Sequence, residues 1–473
     1  METAGINAKP TIAIVGAGFS GSLVAMHLLR MARASLRILL IEREGAPGHG
    51  IAYRKQPDCH LLNVRASAMS AFVDDPDDFV RWLKHTPNHS RSMVADEFMP
   101  RRLYGDYIQN TLQDAIAAAS PGVSLEIHQG EAIDLKLEAD QLKLKLDNGA
   151  CLHANHVVLA LGNPGPADLP AADAKLLSDP RYCGRAWSPS TSDAVRPQEN
   201  LLLVGSGLTT LDWLVGLHDR GHQGRIHVLS RRGLLPNEHR AAPPHALSFD
   251  PIALPAHLRT LLRRLRAEAA AVQQQHGDWR SVIDALRPVT QALWQGLPRV
   301  EKQRFLRHLR PLWEVHRHRA APSVLRAVHT LRARGQLQLL AGRLQALTPQ
   351  HNVIAVLARL RGNRGEWRIK VDRVINCTGP ECDYRRLNHP LIAALLAHHL
   401  ICADELGLGL NTDAEGALLD AQGRASSQLF TLGPPRKGQL WETTAVAEIR
   451  QQAPRLARHL LDRLGLRSGA PSR

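Results

Sequence analysis

The chain is poor in aromatic residues, in cysteine and in acidic charge, and it has no long hydrophobic run. Only 4% of its 473 residues are Phe, Trp or Tyr, and no tract alternates rings with basic side chains. That argues against a nucleic-acid surface. Six scattered cysteines do not form a disulfide framework. No apolar run reaches the roughly 18 residues that a membrane span takes. The opening "METAGINAKP" lacks the basic-then-apolar layout of a signal peptide. The expectation is a cytoplasmic protein with neither membrane nor nucleic acid as partner; oligomeric state is left open. The shortage of acid is real: 44 Asp and Glu face 59 Lys and Arg, a net charge of +15. Its arginines are spread among leucines on helical stretches and read as solvated faces. Such a chain still draws in small anions.

What is present is a repeated alternation of short buried strands and helices. A chain this long exceeds one ordinary core and predicts two or three domains. "TIAIVG" (11–16), "LRILLIE" (36–42), "ANHVVLALGNPGP" (154–166), "LLLVG" (201–205), "RIHVLSRRG" (225–233), "VDRVINCTGP" (371–380) and "QLFTLGPP" (428–435) read as strands, most running into a turn. The fold class is α/β, with two dinucleotide-binding (Rossmann-like) units of a two-nucleotide flavoprotein. Between 236 and 335 the spacing becomes helical at Leu258–Leu265, Trp279–Leu286 and Phe305–Leu309, where Pro311 should end or kink the last helix. This is a helical insertion in the second unit. Expected boundaries are 1–198 for the first part of an FAD-binding unit, 199–375 for an NAD(P)-binding unit, and 376–473 for a return to the first. The tail "RSGAPSR" (467–473) should fray.

Gly16-Ala17-Gly18-Phe19-Ser20-Gly21 matches GxGxxG between a strand and a helix. The three glycines serve the tight turn, close approach of a pyrophosphate, and helix–strand packing. The helix N-terminus, opening near Ser20, offers unpaired N–H groups and a positive dipole end to phosphates. Glu42, closing the next strand, stands where a carboxylate accepts ribose hydroxyls. A second turn, Gly205-Ser206-Gly207-Leu208-Thr209-Thr210, keeps two glycines and has Thr210 at the third position. Arg231 and Arg232 end its partner strand. A carboxylate there would repel a 2′-phosphate, whereas arginines pair with one. Two fingerprints imply FAD at the first turn and NADH or NADPH at the second. Gly162 and Gly379 lie at strand ends where the chain crosses between units. Gly433, Trp441 and Glu442 belong to the return, where a helix beginning near Glu442 would face the flavin with its positive end.

Several segments together resemble a known family. They are "GAGFSG" (16–21), "GHGIAY" (48–53), "HLLNVRASAMS" (60–70), "MPRRLYGDYI" (99–108), "GSGLTT" (205–210), "LSRRGLLP" (229–236), "WEVHRHRAAP" (313–322) and "GQLWETTAVAEIR" (438–450). The chain resembles the bacterial FAD/NAD(P)-binding proteins that include an FAD-dependent urate hydroxylase and the aspartate N-monooxygenases. In length it looks most like the urate hydroxylase. The resemblance implies a monooxygenase in which NAD(P)H and O₂ are consumed, one oxygen atom entering a small-molecule substrate and the other becoming water. Urate converted to 5-hydroxyisourate is the leading expectation; N-hydroxylation of an amino acid such as aspartate is the alternative; an NAD(P)H-dependent flavin reductase is a second.

The resemblance also places Arg101 and Arg102 beside the flavin. Asn63 and Arg65, near His60, become substrate candidates with them, and Gly48 and Gly50 become points of close backbone approach. Which residue acts as acid or base is unknown. His316-Arg317-His318-Arg319 has no accompanying cysteine or carboxylate cluster, so no metal site is expected, and helix-end packing or an anion contact fits better. Cys377 and Cys382 read as structural thiols.

Overall fold

The computed structural model describes residues 9–87, 94–138, 141–188, 193–254, 256–362 and 365–466. The tail expected to fray, 467–473, lies outside them. The described chain forms two compact units: residues 1–56, 65–164 and 382–473 in one, and 57–64 and 165–381 in the other.

The first unit is built on a six-stranded sheet. Its order is Ala417–Leu419, Ala425–Thr431, His156–Leu159, Thr11–Val15, Leu36–Glu42 and Val123–Gln129. All pairs are parallel except the first. Consecutive Ile12, Ala13 and Ile14 are fully buried, as a parallel strand covered on both faces demands. The helix Phe19–Met31 covers one face and packs on Val446–Arg463 and Arg101–Ala117. A three-stranded antiparallel sheet, Ala132–Glu138, Gln141–Leu146 and Cys151–Ala154, fills the interval before His156.

The second unit holds a seven-stranded mixed sheet. Four strands around Leu201–Val204 and Ile226–Ser230 run parallel with Leu337–Pro349, and the hairpins through Ile354–Leu360 and Glu366–Val371 extend it antiparallel. Tyr182–Cys183 pairs with Arg373–Asn376 at the other edge. Residues 165–188 and 193–198 therefore lie with this unit, whereas a boundary near 198 assigns them to the first. The strand pairing, and bonds from the Arg373 guanidinium to Pro180 O at 2.8 Å and Ala194 O at 3.0 Å, tie them there. Residues 376–381 stay with this unit as well.

Between Ser230 and Leu337 the chain makes the expected helical excursion. It includes helices Leu258–Gln274, Trp279–Ala285 and Arg310–Arg317. The last helix before Leu337, Pro322–Ala333, packs on Leu208–Asp219 and is the crossover of the parallel sheet. Pro311 does not end the preceding helix. Helical backbone runs from Arg299 through a π-helical turn, Phe305–Leu309, into Arg310–Arg317, and it is this irregular turn that precedes Pro311, whose missing N–H leaves one bond of the ladder unmade.

Candidate functional site

Both glycine turns use one backbone scheme. Gly16 donates its N–H to Ile41 O at 2.9 Å, and Gly205 donates to Leu229 O at 2.9 Å. Both first glycines have positive φ, +100° and +113°, which a side chain rarely adopts. A Cβ there would strike the neighbouring strand's carbonyl, Ala160 O at 2.5 Å or Cys377 O at 2.3 Å. At the third position the turns part. A Cβ on Gly21 would lie 1.9 Å from Gly16 O, whereas Thr210 is accommodated and its hydroxyl donates to Gly205 O at 2.9 Å.

The helices that follow, Phe19–Met31 and Leu208–Asp219, have Gly18 and Gly207 as N-caps. Neither has a side-chain cap or an acidic residue in its first turn. Their leading N–H groups are thus left to an incoming anion. Backbone glycines, absent caps and absent acid fit a dinucleotide phosphate at each turn.

Glu42 is buried and holds the turn itself. One carboxylate oxygen accepts Ala17 N–H at 3.0 Å and the other accepts Glu44 N–H at 3.0 Å. The residue in the matching place of the second unit is Ser230. Its hydroxyl lies 2.8 Å from that of Ser206 and accepts Gly233 N–H at 3.0 Å. Arg231 is exposed, while Arg232 donates to His308 O at 3.0 Å.

The loop carrying Gly48 and Gly50 is set by the helix Arg101–Ala117. A Cβ on Gly48 would come 2.8 Å from Gln109 N, and one on Gly50 would come 3.1 Å from the Cα of Gly18. His49 meets Asp106 at 3.2 Å. Phe19, Tyr53 and Tyr104 pack together nearby, with the Tyr53 and Tyr104 rings 4.7 Å apart. Burial pushes the Tyr53 phenol up to about 12, opposed by the charge of Arg101. Arg101 and Arg102 open this helix in the first unit. Arg65 belongs to the same unit and is bound to Asp96 at 2.6 Å.

Gly162 and Gly379 have open space where a Cβ would stand. Gly433 lies against Ser20, and its carbonyl accepts the Thr443 hydroxyl at 3.0 Å. The helix expected near Glu442 begins instead at Val446. Trp441, at φ 59° and ψ −67°, sits at the centre of a γ-turn closed by Glu442 N–H to Leu440 O at 2.7 Å. That strained turn interrupts helix formation.

Asn63 lies in the 57–64 segment of the second unit, and there it lines a cavity of about 70 Å³ with His239, Asp284, Arg287, Arg317 and Arg319. In the sequence the Arg317–Arg319 stretch reads only as helix-end packing or an anion contact, and nothing marks Arg287 or Asp284. These residues come from separate segments that only the fold collects. Among the described residues no group of three or more His, Cys, Asp or Glu is placed to hold a metal, and no helix is long and apolar enough to cross a membrane. All six cysteines are free thiols; burial pushes Cys377 upward and Cys59 up to about 11.

Residues 13–164 match the family model described as FAD-NAD(P)-binding. The first unit carries an FAD/NAD(P)-binding domain. Two curated relatives are similar over part of the chain. One is the nitrosuccinic acid synthase of Aspergillus oryzae, 26% identical over 47% of this chain and 40% of its own length. The other is the nitrosuccinate-forming L-aspartate N-monooxygenase of Streptomyces cremeus, 26% identical over 54% of this chain and 42% of its own. The aligned region thus spans about two-fifths of each relative. The reduced form of an ornithine hydroxylase from Pseudomonas aeruginosa shares the fold, with a TM-score of 0.64 and 14% identity over 96% of this chain and 99% of that one.

Proposed function

We propose that this protein is an FAD- and NAD(P)H-dependent monooxygenase that N-hydroxylates the primary amine of a small amino acid. The observation that carries the reading is the pair of uncapped glycine turns, one in each unit, each closing on a parallel strand. One nucleotide held and one exchanged is the requirement of a reductive oxygenation. The reaction balances as amine, O₂, NAD(P)H and a proton giving hydroxylamine, NAD(P)⁺ and water. The relatives named above support an amine substrate over urate.

Bound flavin would supply the electron transfer and the oxygen chemistry. The chain's own residues bind and orient. Gly16, Gly18 and the N–H groups after them would receive the FAD pyrophosphate. Glu42 fixes the turn through Ala17 and would accept from the ribose with its remaining lone pairs. Gly205 and Gly207 would receive the nicotinamide nucleotide, with Arg231 and Arg232 at the 2′ position. Buried Trp441 would help keep water from the flavin, and the helix that opens at Val446 has no side-chain cap but carries Glu448 in its first turn.

The test is a substrate panel on the flavin-loaded protein. Aspartate, ornithine, glycine and urate are each added to NAD(P)H and O₂, with product mass recorded. The reading expects one amine to accelerate NAD(P)H oxidation and to gain one oxygen atom. Acceleration by urate alone, with 5-hydroxyisourate formed, restores the purine reading. NAD(P)H oxidation that yields only hydrogen peroxide with every compound leaves a reductase.

A further inference from the structure

The aromatic residues are few but not evenly spread. Phe19, Tyr53, Phe79, Trp82, Tyr104 and Tyr107 gather in the first unit, among them three of the chain's five tyrosines. The gathering starts at the first glycine turn, since Phe19 follows the N-cap Gly18. The Phe19 ring lies 5.7 Å from that of Tyr104, Tyr104 lies 5.5 Å from Tyr107, and Tyr107 lies 5.8 Å from Trp82. Phe79 packs against both tyrosines, at 5.1 and 4.9 Å. Trp82 is half-buried, whereas Phe79, Tyr104 and Tyr107 are buried. Core packing accounts for the rings. It does not account for the polar end of Tyr107.

The Tyr107 hydroxyl donates to Asp78 Oδ2 at 2.5 Å and accepts Ala71 N–H at 3.1 Å. Arg81 reaches the other oxygen of Asp78 at 3.2 Å. The other enclosed tyrosines have no such base. The hydroxyls of Tyr104 and Tyr384 are buried without a partner among the described residues. That of Tyr182 accepts Leu169 N–H at 3.2 Å and meets the Asn376 amide, which takes up no proton. Burial, and after it the charge of Asp78, raises the Tyr107 phenol above its ordinary range, so it keeps its proton while it keeps its electrons. A phenol that loses an electron becomes a strong acid, and a carboxylate already in hydrogen-bond contact takes its proton without rearrangement.

We propose that Tyr107 is a redox-active tyrosine, the resting place of a one-electron oxidising equivalent that enters the first unit at Trp82. A one-electron oxidant in solvent takes an electron from the Trp82 indole and is itself reduced. An electron from Tyr107 restores the indole. The Tyr107 O–H bond breaks as its proton passes to Asp78 Oδ2, where a new O–H bond forms. The products are the reduced oxidant, a neutral tyrosyl radical and a protonated Asp78. One electron from a solvent reductant of the thiol or ascorbate type, with the proton returned from Asp78, restores the phenol. The function is protective, because the damage is held on a residue that is repaired by simple reduction. It lies beyond the N-hydroxylation reading and does not depend on it, although O₂ reduction without substrate is one source of such oxidants.

Freeze-quench electron paramagnetic resonance on the flavin-loaded protein tests the assignment, with photo-oxidised tris(bipyridyl)ruthenium as the oxidant. A neutral tyrosyl signal is expected. It should survive Tyr182→Phe and Tyr384→Phe and be lost in Tyr107→Phe. Asp78→Asn keeps an oxygen that accepts from the phenol but removes the base, and Arg81 keeps its bond to Asp75 at 2.9 Å. Most of the tyrosyl signal should go in that variant while flavin content and urea midpoint stay those of the parent, and Asp78→Glu should recover part of it. Trp82→Phe should slow the appearance of the signal. A tyrosyl signal of full strength in Tyr107→Phe or in Asp78→Asn overturns the proposal. So does its loss in Tyr182→Phe or Tyr384→Phe, or oxidation of the parent protein that stops at an indole radical. Amine hydroxylation, found or not found in the substrate panel, moves none of these readings.

Discussion

At the first glycine turn the residue after Ile41 is a buried carboxylate, Glu42; at the second, the residue after Leu229 is a hydroxyl, Ser230, followed by two arginines. The backbone bonds of the two turns match to within 0.1 Å, as Gly16 to Ile41 and Gly205 to Leu229 show. In the proposed sites the main chain would build the phosphate cradle in both turns. At the strand ends a carboxylate in one unit is then replaced in the other by a hydroxyl followed by two cations. The helices differ as well. The first presses so close that its third glycine admits no Cβ; the second leaves room for Thr210. A tightly packed turn suits a nucleotide that stays, and a looser one suits a nucleotide that leaves.

The largest effect should come from the third position. Gly21→Ala drives a methyl into Gly16 O, a backbone atom that cannot swing aside. The variant should lose about 3 kcal/mol or more of stability in urea and purify without flavin. Gly207→Ala, with open space around its Cβ, should stay within about 1 kcal/mol and keep full flavin absorbance while NAD(P)H-driven flavin reduction slows. Equal losses in the two variants would erase the contrast.

Acid should also distinguish the helices. His27 lies as far beyond Gly16 as Gly216 lies beyond Gly205. Burial, helped by Arg30, pushes the His27 imidazole down from 6.5 to about 4. The unfolded chain binds this proton first, so stability falls as pH drops from about 6.5 to about 4. The loss reaches about 3 kcal/mol and is complete below that range. His27→Leu should flatten the slope measured by denaturation at stepped pH, with buried His156, also held near 4, accounting for a remainder. An unchanged slope would show that His27 is protonated in the fold.

The smallest effect concerns the strand end. Replacing Arg231 and Arg232 with alanine should raise the NADPH Michaelis constant roughly five- to tenfold and the NADH constant less than twofold. Arg232 already donates to His308 O, so most of the change should come from Arg231. Equal shifts for both nucleotides would make the arginines ordinary surface.

Much of this architecture is legible in the sequence because glycine spacing and runs such as "TIAIVG" and "LLLVG" report local constraints. The strands at 11–15, 36–42, 201–204 and 226–230 stand where the apolar runs do. The helix at Val446 is not legible at its start, since the strained γ-turn at Trp441 has no signature of its own. The 57–64 segment resists a linear reading for another reason. His60 and Asn63 follow first-unit residues in the chain, yet His60 rests against Trp187 at 6.0 Å and against the position of Gly216. The cavity arginines are scattered over helix ends, and only their convergence distinguishes them from the solvated arginines of the same helices.

The helical excursion leaves and rejoins the second sheet through a neck. Asn237 and His239 exchange backbone hydrogen bonds with Val315 and Ala320, and Asn237 adds its amide to Val315 O at 2.9 Å. Everything between 240 and 315 is thus a loop closed at its base, which an evolving lineage can lengthen, trim or replace without moving a strand. Three of the residues that face the cavity, His239, Arg317 and Arg319, stand at that base, and two, Asp284 and Arg287, stand inside the loop. A change confined to that loop would therefore replace two of the seven residues lining the cavity and leave the other five, with both glycine turns, where they are.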